Sequence, residues 1–139
     1  MDYDAVQHLP ILREAWVLSF HGHLAQTDAN DGQEVPYFMR PWLGGGTTLR
    51  GIDSFRFRDR NSLLLQAEWR IMVNRFMETA AFYDAGKVAA KVGNLSTRDM
   101  AYSYGFGFRV HTPYNTALRV DLAKSPEGFA VVFASGPVF

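Results

Sequence analysis

The sequence predicts an all-β fold built around an antiparallel sheet. Five segments of the 139-residue chain alternate between apolar and other side chains, and a strand directs successive side chains to opposite faces. No apolar run approaches the roughly 18 residues that a transmembrane helix needs, and no segment has a convincing helical period. Because turn-forming residues separate the alternating segments, the pattern predicts consecutive strands joined by turns.

The five predicted strands cover residues 14–24, 62–73, 101–110, 115–123 and 129–139. In the second strand, Glu68 shares a polar face with Gln66 and Arg70. In the third, large aromatic side chains alternate with small ones, and Arg109 belongs to the small face. A face of small side chains indicates a wall against which another segment packs closely.

Two architectures produce such a pattern. A soluble sandwich buries its apolar face, whereas an outer-membrane barrel points apolar side chains at lipid and small or charged ones at a wet lumen. The aromatic content of 14% fits a large core and an aromatic girdle equally well. The short proline turns and the long connection over residues 27–60 match the loop asymmetry of barrels, but the pattern alone leaves both architectures open.

Composition excludes several classes of function. The 14 basic and 14 acidic residues give zero formal charge, so there is no electrostatic case for nucleic acid. The absence of cysteine excludes disulfides and thiolate metal sites. The first residues lack the features of a signal peptide, so an exported protein is expected to begin upstream of Met1.

Three further motifs are better explained by structure than by chemistry. The run 44–48 lacks the Gly-Lys-Ser/Thr ending of a phosphate loop. His21 and His23 share one strand face, but no third ligand is spaced to complete a metal site. Basic and aromatic residues interleave over 55–60, in a chain that is otherwise neutral. We therefore expect no metal, no cofactor and no catalytic residues.

A set of short stretches runs in the order of a known family over nearly the whole chain. Through them the chain resembles the C-terminal part of the bacterial surface-antigen family, the BamA/TamA-type outer-membrane assembly and translocation barrels. The stretches are residues 34–38, 43–45, 49–51, 55–61, 65–70, 82–86, 105–109, 112–113 and 118–121, with Phe139 at the end.

The resemblance implies a partial up-and-down transmembrane β-barrel. The family barrel has sixteen strands preceded by POTRA domains, and residues 1–139 would supply about the last six strands. Residues 27–60 would form a long loop that folds into the lumen. The implied location is the outer membrane. The implied partners are the lipid bilayer, the assembly machinery, unfolded barrel clients and the remaining strands of the same barrel, which are missing here together with the POTRA domains.

The resemblance also assigns a set of site residues. Arg50 and Gly51 match the family's Val-Arg-Gly-Phe/Tyr loop motif, which Gly44, Gly45 and Leu49 precede and Ile52 closes. Glu68 matches the acidic residue on strand twelve and Asp84 the one on strand thirteen. Inside a barrel an arginine needs anionic partners, because its desolvation is otherwise costly. We therefore expect Arg50 to pair with Glu68 and Asp84 and to pin the loop to the inner wall, with a looser tip at Ile52, where an aromatic residue is usual.

The last predicted strand is expected to form one side of a weak seam, through which a client strand could pair. Its apolar face and its terminal aromatic, which resembles an insertion signal, consist of Phe129, Val131, Phe133 and Phe139. Pro137 cannot donate to a ladder and would weaken pairing there.

The expected function is outer-membrane protein insertion or translocation, without enzymatic activity. Two alternatives stay open. One is a secretion pore or a barrel fused to a passenger enzyme, and the other is a small soluble β-barrel or sandwich that binds an apolar ligand. Six strands would leave two open edges that lipid cannot satisfy, so we expect a fragment or a truncated gene product.

Overall fold

The structure is a computed structural model that describes residues 1–11, 15–27 and 33–136. The expectations for Pro137 and Phe139 lie outside the described residues. Within these ranges two 3₁₀ turns occur, at Tyr37–Met39 and Val92–Asn94. The strands are β1 (Asp2–Pro10), β2 (Trp16–Gln26), β3 (Trp42–Leu43), β4 (Phe57–Arg58), β5 (Asn61–Asn74), β6 (Met77–Ala89), β7 (Ala101–His111), β8 (Thr116–Ser125) and β9 (Gly128–Ala134).

Seven of these strands form one sheet in the order β1-β2-β5-β6-β7-β8-β9. Every neighbouring pair is antiparallel, and the main strands follow one another in chain order, as in an up-and-down meander. The short strands β3 and β4 pair separately inside the β2–β5 connection. The all-β, antiparallel part of the prediction is therefore confirmed, and the sheet is open, with β1 and β9 at its edges.

Among the described residues the sheet has seven strands, compared with the expected six or so, and alternation alone missed β1 and β6. In β6 the inward-facing set includes the bulky Phe82 together with Ala80 and Gly86, while small residues such as Thr79 and Ala81 face outward. This mixture of sizes removes the contrast between faces on which a period-two prediction depends.

The two ends of the sheet differ in their connections. One end, called here the long-loop end, carries the β2–β5 connection over residues 27–60 and the β6–β7 connection over residues 90–100. The short-turn end carries the β5–β6 and β7–β8 turns. The tight β8–β9 turn at Pro126 lies at the long-loop end, so the two proline turns predicted from sequence are at opposite ends.

The two faces of the sheet have opposite chemistry. The inner face, which the described residues 33–60 of the β2–β5 connection cover, contains buried polar side chains such as Ser19, Glu68 and Arg109. The outer face is apolar and open, and Phe106 and Phe133 are each 72% exposed.

Within the described ranges, no helix is long and apolar enough to cross a membrane.

A small apolar cluster joins the 27–60 connection to the inner face. Leu43, Leu49 and Ile52 from the connection pack with Leu64 from β5. A Cβ atom at Gly86 of β6 would lie 2.7 Å from the Leu43 side chain, closer than real Cβ contacts allow. Glycine at this position therefore lets the connection approach the wall.

Candidate functional site

The centre of the candidate site is Arg50, near the end of the long connection. Its Nε donates to Asp84 Oδ2 and its Nη2 donates to Asp84 Oδ1, both at 2.7 Å. Its Nη1 donates to Glu68 Oε2 at 2.8 Å. All three side chains are fully buried. The two parallel bonds to Asp84 fix the orientation of the guanidinium plane as well as its position.

Two further contacts restrain Arg50. Its backbone N–H donates to Asp84 Oδ2 at 3.3 Å, and its guanidinium carbon lies 3.6 Å from the centre of the Phe82 ring, within the range of a cation–π interaction. Burial lowers the pKa of Arg50, but the hydrogen bonds and charges of Asp84 and Glu68 outweigh burial and raise that pKa above its usual value. The inward Phe82 that obscured β6 in the sequence is thus a platform for Arg50.

Glu68 connects the Arg50 contacts to a wider charge network on the inner face. Its Oε1 accepts from Arg70 Nε at 2.7 Å, and its Oε2 lies 2.7 Å from Arg109 Nη2. Arg109 also donates to Glu78 at 3.2 Å. One carboxylate therefore faces three guanidinium groups, which compensates for its complete burial.

A second carboxylate closes the network on β8. Asp121 Oδ2 lies 3.0 Å from Arg119 Nε and 3.7 Å from Arg50 Nη1. Asp121 is fully buried, and Arg119 is 1% exposed. The cluster thus matches four arginines with four carboxylates, so its charges balance. Its members are Arg50, Arg70, Arg109, Arg119, Glu68, Glu78, Asp84 and Asp121.

Side chains of the wall also bind carbonyl groups of the connection. Gln66 Nε2 donates to the Thr48 carbonyl at 2.8 Å, and Arg119 Nη2 donates to the Gly46 carbonyl at 2.7 Å. Ser125 Oγ donates to the Gly51 carbonyl at 3.0 Å. Because these donors come from β5 and β8, the connection is held from both sides of Arg50.

Glycine residues shape the connection around Arg50. Gly44, Gly45 and Gly51 have φ angles of 117°, 104° and 81°, which L-residues with a side chain rarely adopt. The Gly45 N–H donates to the Ile52 carbonyl at 2.9 Å, so the segment folds back on itself. A Cβ at Gly51 would lie 2.7 Å from Ala123 Cβ; glycine allows the chain to run directly along β8.

Ile52 is buried at the loop tip. Its side chain is 5% exposed and belongs to the apolar cluster with Leu43, Leu49 and Leu64. The expectation that it packs less tightly than an aromatic residue would stays a prediction.

The histidines of β2 are part of the inner face. His21 Nδ1 lies 2.7 Å from Gln66 Oε1, and His21 Nε2 lies 3.0 Å from Asp4 Oδ1. The ring of His23 is stacked on His21, with centroids 6.4 Å apart. No group of three potential metal ligands occurs in the part of the chain that the structure describes.

The predicted seam residues are on the other side of the sheet. Phe129, Val131 and Phe133 point from β9 to the outer face and are 67%, 46% and 72% exposed. The structure does not bring them to the Arg50 cluster, which occupies the inner face. It places them on an edge strand, where the backbone of β9 pairs with β8 on one side.

Sequence reasoning missed several members of the charge network. Arg119, Asp121 and Glu78 were not predicted as site residues, and Arg109 was noted only for its place on a small face. Parity on β7 and β8 already places Arg109, Arg119 and Asp121 on one face of the sheet. Their pairing depends on strand register, which the alternation pattern does not contain.

The sheet and its inserted connection define a class of structure: a meander wall whose polar inner face is covered by one long, ion-paired loop. This arrangement is consistent with a segment of a β-barrel. The Omp85 superfamily domain matches residues 1–128, which is most of the chain, so the chain belongs to the Omp85 superfamily. The match confirms the resemblance to the surface-antigen barrels. No curated protein matches the chain.

Members of the Omp85 superfamily are in general outer-membrane proteins that act in protein assembly or translocation. They are transporters and assembly factors rather than enzymes.

Proposed function

We propose that the chain is the C-terminal wall of a BamA/TamA-type barrel that inserts outer-membrane proteins or translocates them. The observation that carries the proposal is the distribution of polarity across the sheet, which is the reverse of that in a soluble protein: polar side chains are buried and large apolar side chains are exposed. Arg50, Glu68 and Asp84 are fully buried on the inner face, while Phe106 is 72% exposed on the outer face. Lipid favours apolar side chains outside and tolerates polar side chains in a lumen.

The open edges support the view that residues 1–139 are one segment of a larger barrel. β1 and β9 occupy the two ends of the strand order, and unpaired strand edges are costly in lipid. In this proposal, preceding strands of the same barrel pair with β1, and POTRA domains precede those strands. The segment resides in the outer membrane and contacts the bilayer directly.

In this proposal Arg50 pins the loop over residues 27–60 to the inner wall. The bidentate contact with Asp84, the contact with Glu68 and the Phe82 ring support that role, because together they restrain the guanidinium in every direction. A fixed loop narrows the lumen and stiffens β5 and β6. Conformational change is then expected elsewhere, at the strand edges.

The β9 edge is proposed as the seam at which a client strand pairs. Its exposed outward side chains and unpaired backbone support β-augmentation by an unfolded barrel client. In this proposal the two regions have different roles: β5 and β6 bind the inserted loop and stay fixed, and β9 pairs with successive client strands.

The proposal is tested on the outer-membrane fraction of cells that contain the protein. Unboiled and boiled samples are compared on a denaturing gel with an antibody to this segment. We expect a heat-shifted band much larger than 15.7 kDa, because closed barrels resist detergent until heated. A single band near 15.7 kDa in the soluble fraction, monodisperse without detergent, would overturn the proposal in favour of a soluble apolar-ligand domain.

A further inference from the structure

The outer face of the sheet is almost free of charge. In the described strands, outward positions carry two charged side chains, Lys87 on β6 and Lys124 on β8. Lys124 lies opposite Tyr104 and Phe129, which are both exposed on the outer face. Lys87 follows Ala85 by two residues, and Ala85 lies opposite the outward Tyr102. The carboxylates of these strands all belong to the inner face.

Both lysines lie near the long-loop end. Lys124 is one residue from the end of β8, and Lys87 is two residues from the end of β6. The ammonium of Lys87 donates to the Arg98 carbonyl at 2.9 Å, which holds the 90–100 connection beside the outer edge of this end, called here the rim. Lys91 and Arg98 in this connection are both exposed. The chain has three lysines, Lys87, Lys91 and Lys124, and all three lie at the long-loop end of the sheet.

The basic groups at this rim have no ion-paired carboxylate among the described residues. The ion pairs of the structure use arginine and histidine as the cations. The nearby Glu127 is paired with Arg56 at 2.7 Å. The 90–100 connection contains one acidic residue, Asp99, and two basic residues, Lys91 and Arg98. The rim therefore has an excess of positive charge.

Three tyrosines lie on the outer face near this rim. Tyr83, Tyr102 and Tyr104 all face outward, and the rings of Tyr83 and Tyr102 are stacked with centroids 6.3 Å apart. Tyrosine is enriched where a bilayer meets water, and lysine extends its ammonium from apolar surface toward the headgroups. In a bilayer, a band of tyrosines with lysines beyond it is expected at the depth of the lipid headgroups.

We infer that Lys87 and Lys124, with Lys91 and Arg98 in the connection beside them, bind the phosphate groups of a lipid in the outer leaflet. The inference rests on the proposed function, because an outer-membrane barrel has its longer loops outside the cell and its short turns in the periplasm, which places the long-loop end at the outer leaflet. The charge pattern agrees with it. The inner wall pairs arginine forks with carboxylates, whereas the basic side chains at the rim have no ion-paired carboxylate among the described residues, and lysine binds phosphate as a point charge.

The test uses the complete protein that contains this sequence, in nanodiscs of phosphatidylcholine. Bisphosphorylated lipid A and the same lipid without its phosphates are titrated separately, and bound lipid is counted by native mass spectrometry. The variant is the pair Lys87→Gln and Lys124→Gln. Arg75→Gln is the matched control, since Arg75 is an exposed basic residue at the short-turn end.

We expect the double variant to bind phosphorylated lipid A about twenty-five-fold more weakly, roughly fivefold for each basic side chain at an anionic surface. The control and the pair Lys87→Arg with Lys124→Arg should bind as the wild type does. Unchanged binding in the double variant, or equal binding of the phosphate-free lipid, would overturn the inference alone. A protein that never enters the bilayer would overturn the proposed function, and the inference with it.

Discussion

The inner and outer faces of β5 to β8 are made by the same strands and differ in nearly every property. The inner face carries arginines and carboxylates that are buried and paired, such as Arg50 with Asp84 at 2.7 Å. The outer face carries aromatic and aliphatic side chains that are open, such as Phe106. Because strand side chains alternate, each strand serves both environments at once.

The comparison shows what makes buried charge tolerable in this sheet. Arg50, which the long connection carries to the inner face, is the cation that binds both oxygens of Asp84, and it is one of three guanidinium groups around Glu68. A sheet that buried the same carboxylates without that arginine would leave Asp84 without this compensating charge and would weaken the compensation of Glu68. The polar face of the wall and the loop that covers it therefore stabilise each other. Removing either part should destabilise the inner face and leave the outer face unchanged.

The largest effect is expected from Arg50→Ala. The substitution leaves Glu68 and Asp84 without their shared cation, which costs about 3–5 kcal/mol when one partner of a buried pair is removed. Limited proteolysis of the folded protein should show faster cleavage within residues 33–60, and the unboiled gel band should lose its heat shift at lower temperature.

Arg50→Lys is the matched control for this substitution. Lysine keeps the charge but not the fork that binds both oxygens of Asp84, so loop protection should fall between wild type and Arg50→Ala. Wild-type protease resistance in Arg50→Ala would show that the loop is held by its apolar cluster rather than by Arg50.

Phe106→Arg tests the outer face at the middle of β7. In a lipid-facing position we expect a loss of about 2–4 kcal/mol, the range for arginine at the bilayer midplane. Folding yield into vesicles, compared with Phe106→Leu, measures it. If arginine at this exposed position left folding unchanged, the outer face would be in contact with water and the barrel proposal would fail.

A smaller effect is expected from Gly51→Ala, which tests how tightly the connection fits the wall. The added Cβ would meet Ala123 at 2.7 Å, on a backbone with φ of 81°, and overpacking of this kind costs about 1–3 kcal/mol. Gly93→Ala is the control, because nothing lies within 4 Å of its Cβ position. Equal thermal stability of the two variants would mean that the connection shifts easily from β8.

The smallest effect is expected from Arg56→Ala. Arg56 pairs with Glu127 at 2.7 Å, but its side chain is 56% exposed, and exposed pairs contribute little. The hydrogen bond and the charge of Glu127 raise the pKa of Arg56, and salt screens the attraction between these two exposed charges. Protection of residues 33–60 from protease should match wild type. A loss of protection comparable to that of Arg50→Ala would show that the Arg56–Glu127 pair also holds the loop in place.

Much of the sheet could be predicted from alternation, because strands with one apolar and one polar face carry a strong period. β7 is the clearest case, with Phe106 and Phe108 outward and Arg109 inward. β6 could not be predicted in this way because Phe82 faces inward beneath Arg50. In β1, Asp4 and His8 share the inner face with the apolar Val6, which weakens the contrast there as well.

The site was predictable only in part. Parity and family resemblance together named Arg50, Glu68 and Asp84, and the structure brings these three together. The contact of Arg109 with Glu68 spans β7 and β5, two strands that are separated by β6. Such contacts depend on register and sheet curvature, and neither is visible in a linear pattern.

The contacts of the inserted loop also impose an order of events. Arg50 bonds to residues 18 and 34 positions later in the chain, and Gly51 and Gly46 accept bonds from residues 74 and 73 positions later. The complete set of these bonds therefore cannot exist until β5, β6 and β8 are aligned. The seated loop thus depends on the correct register of three strands that follow it in the chain.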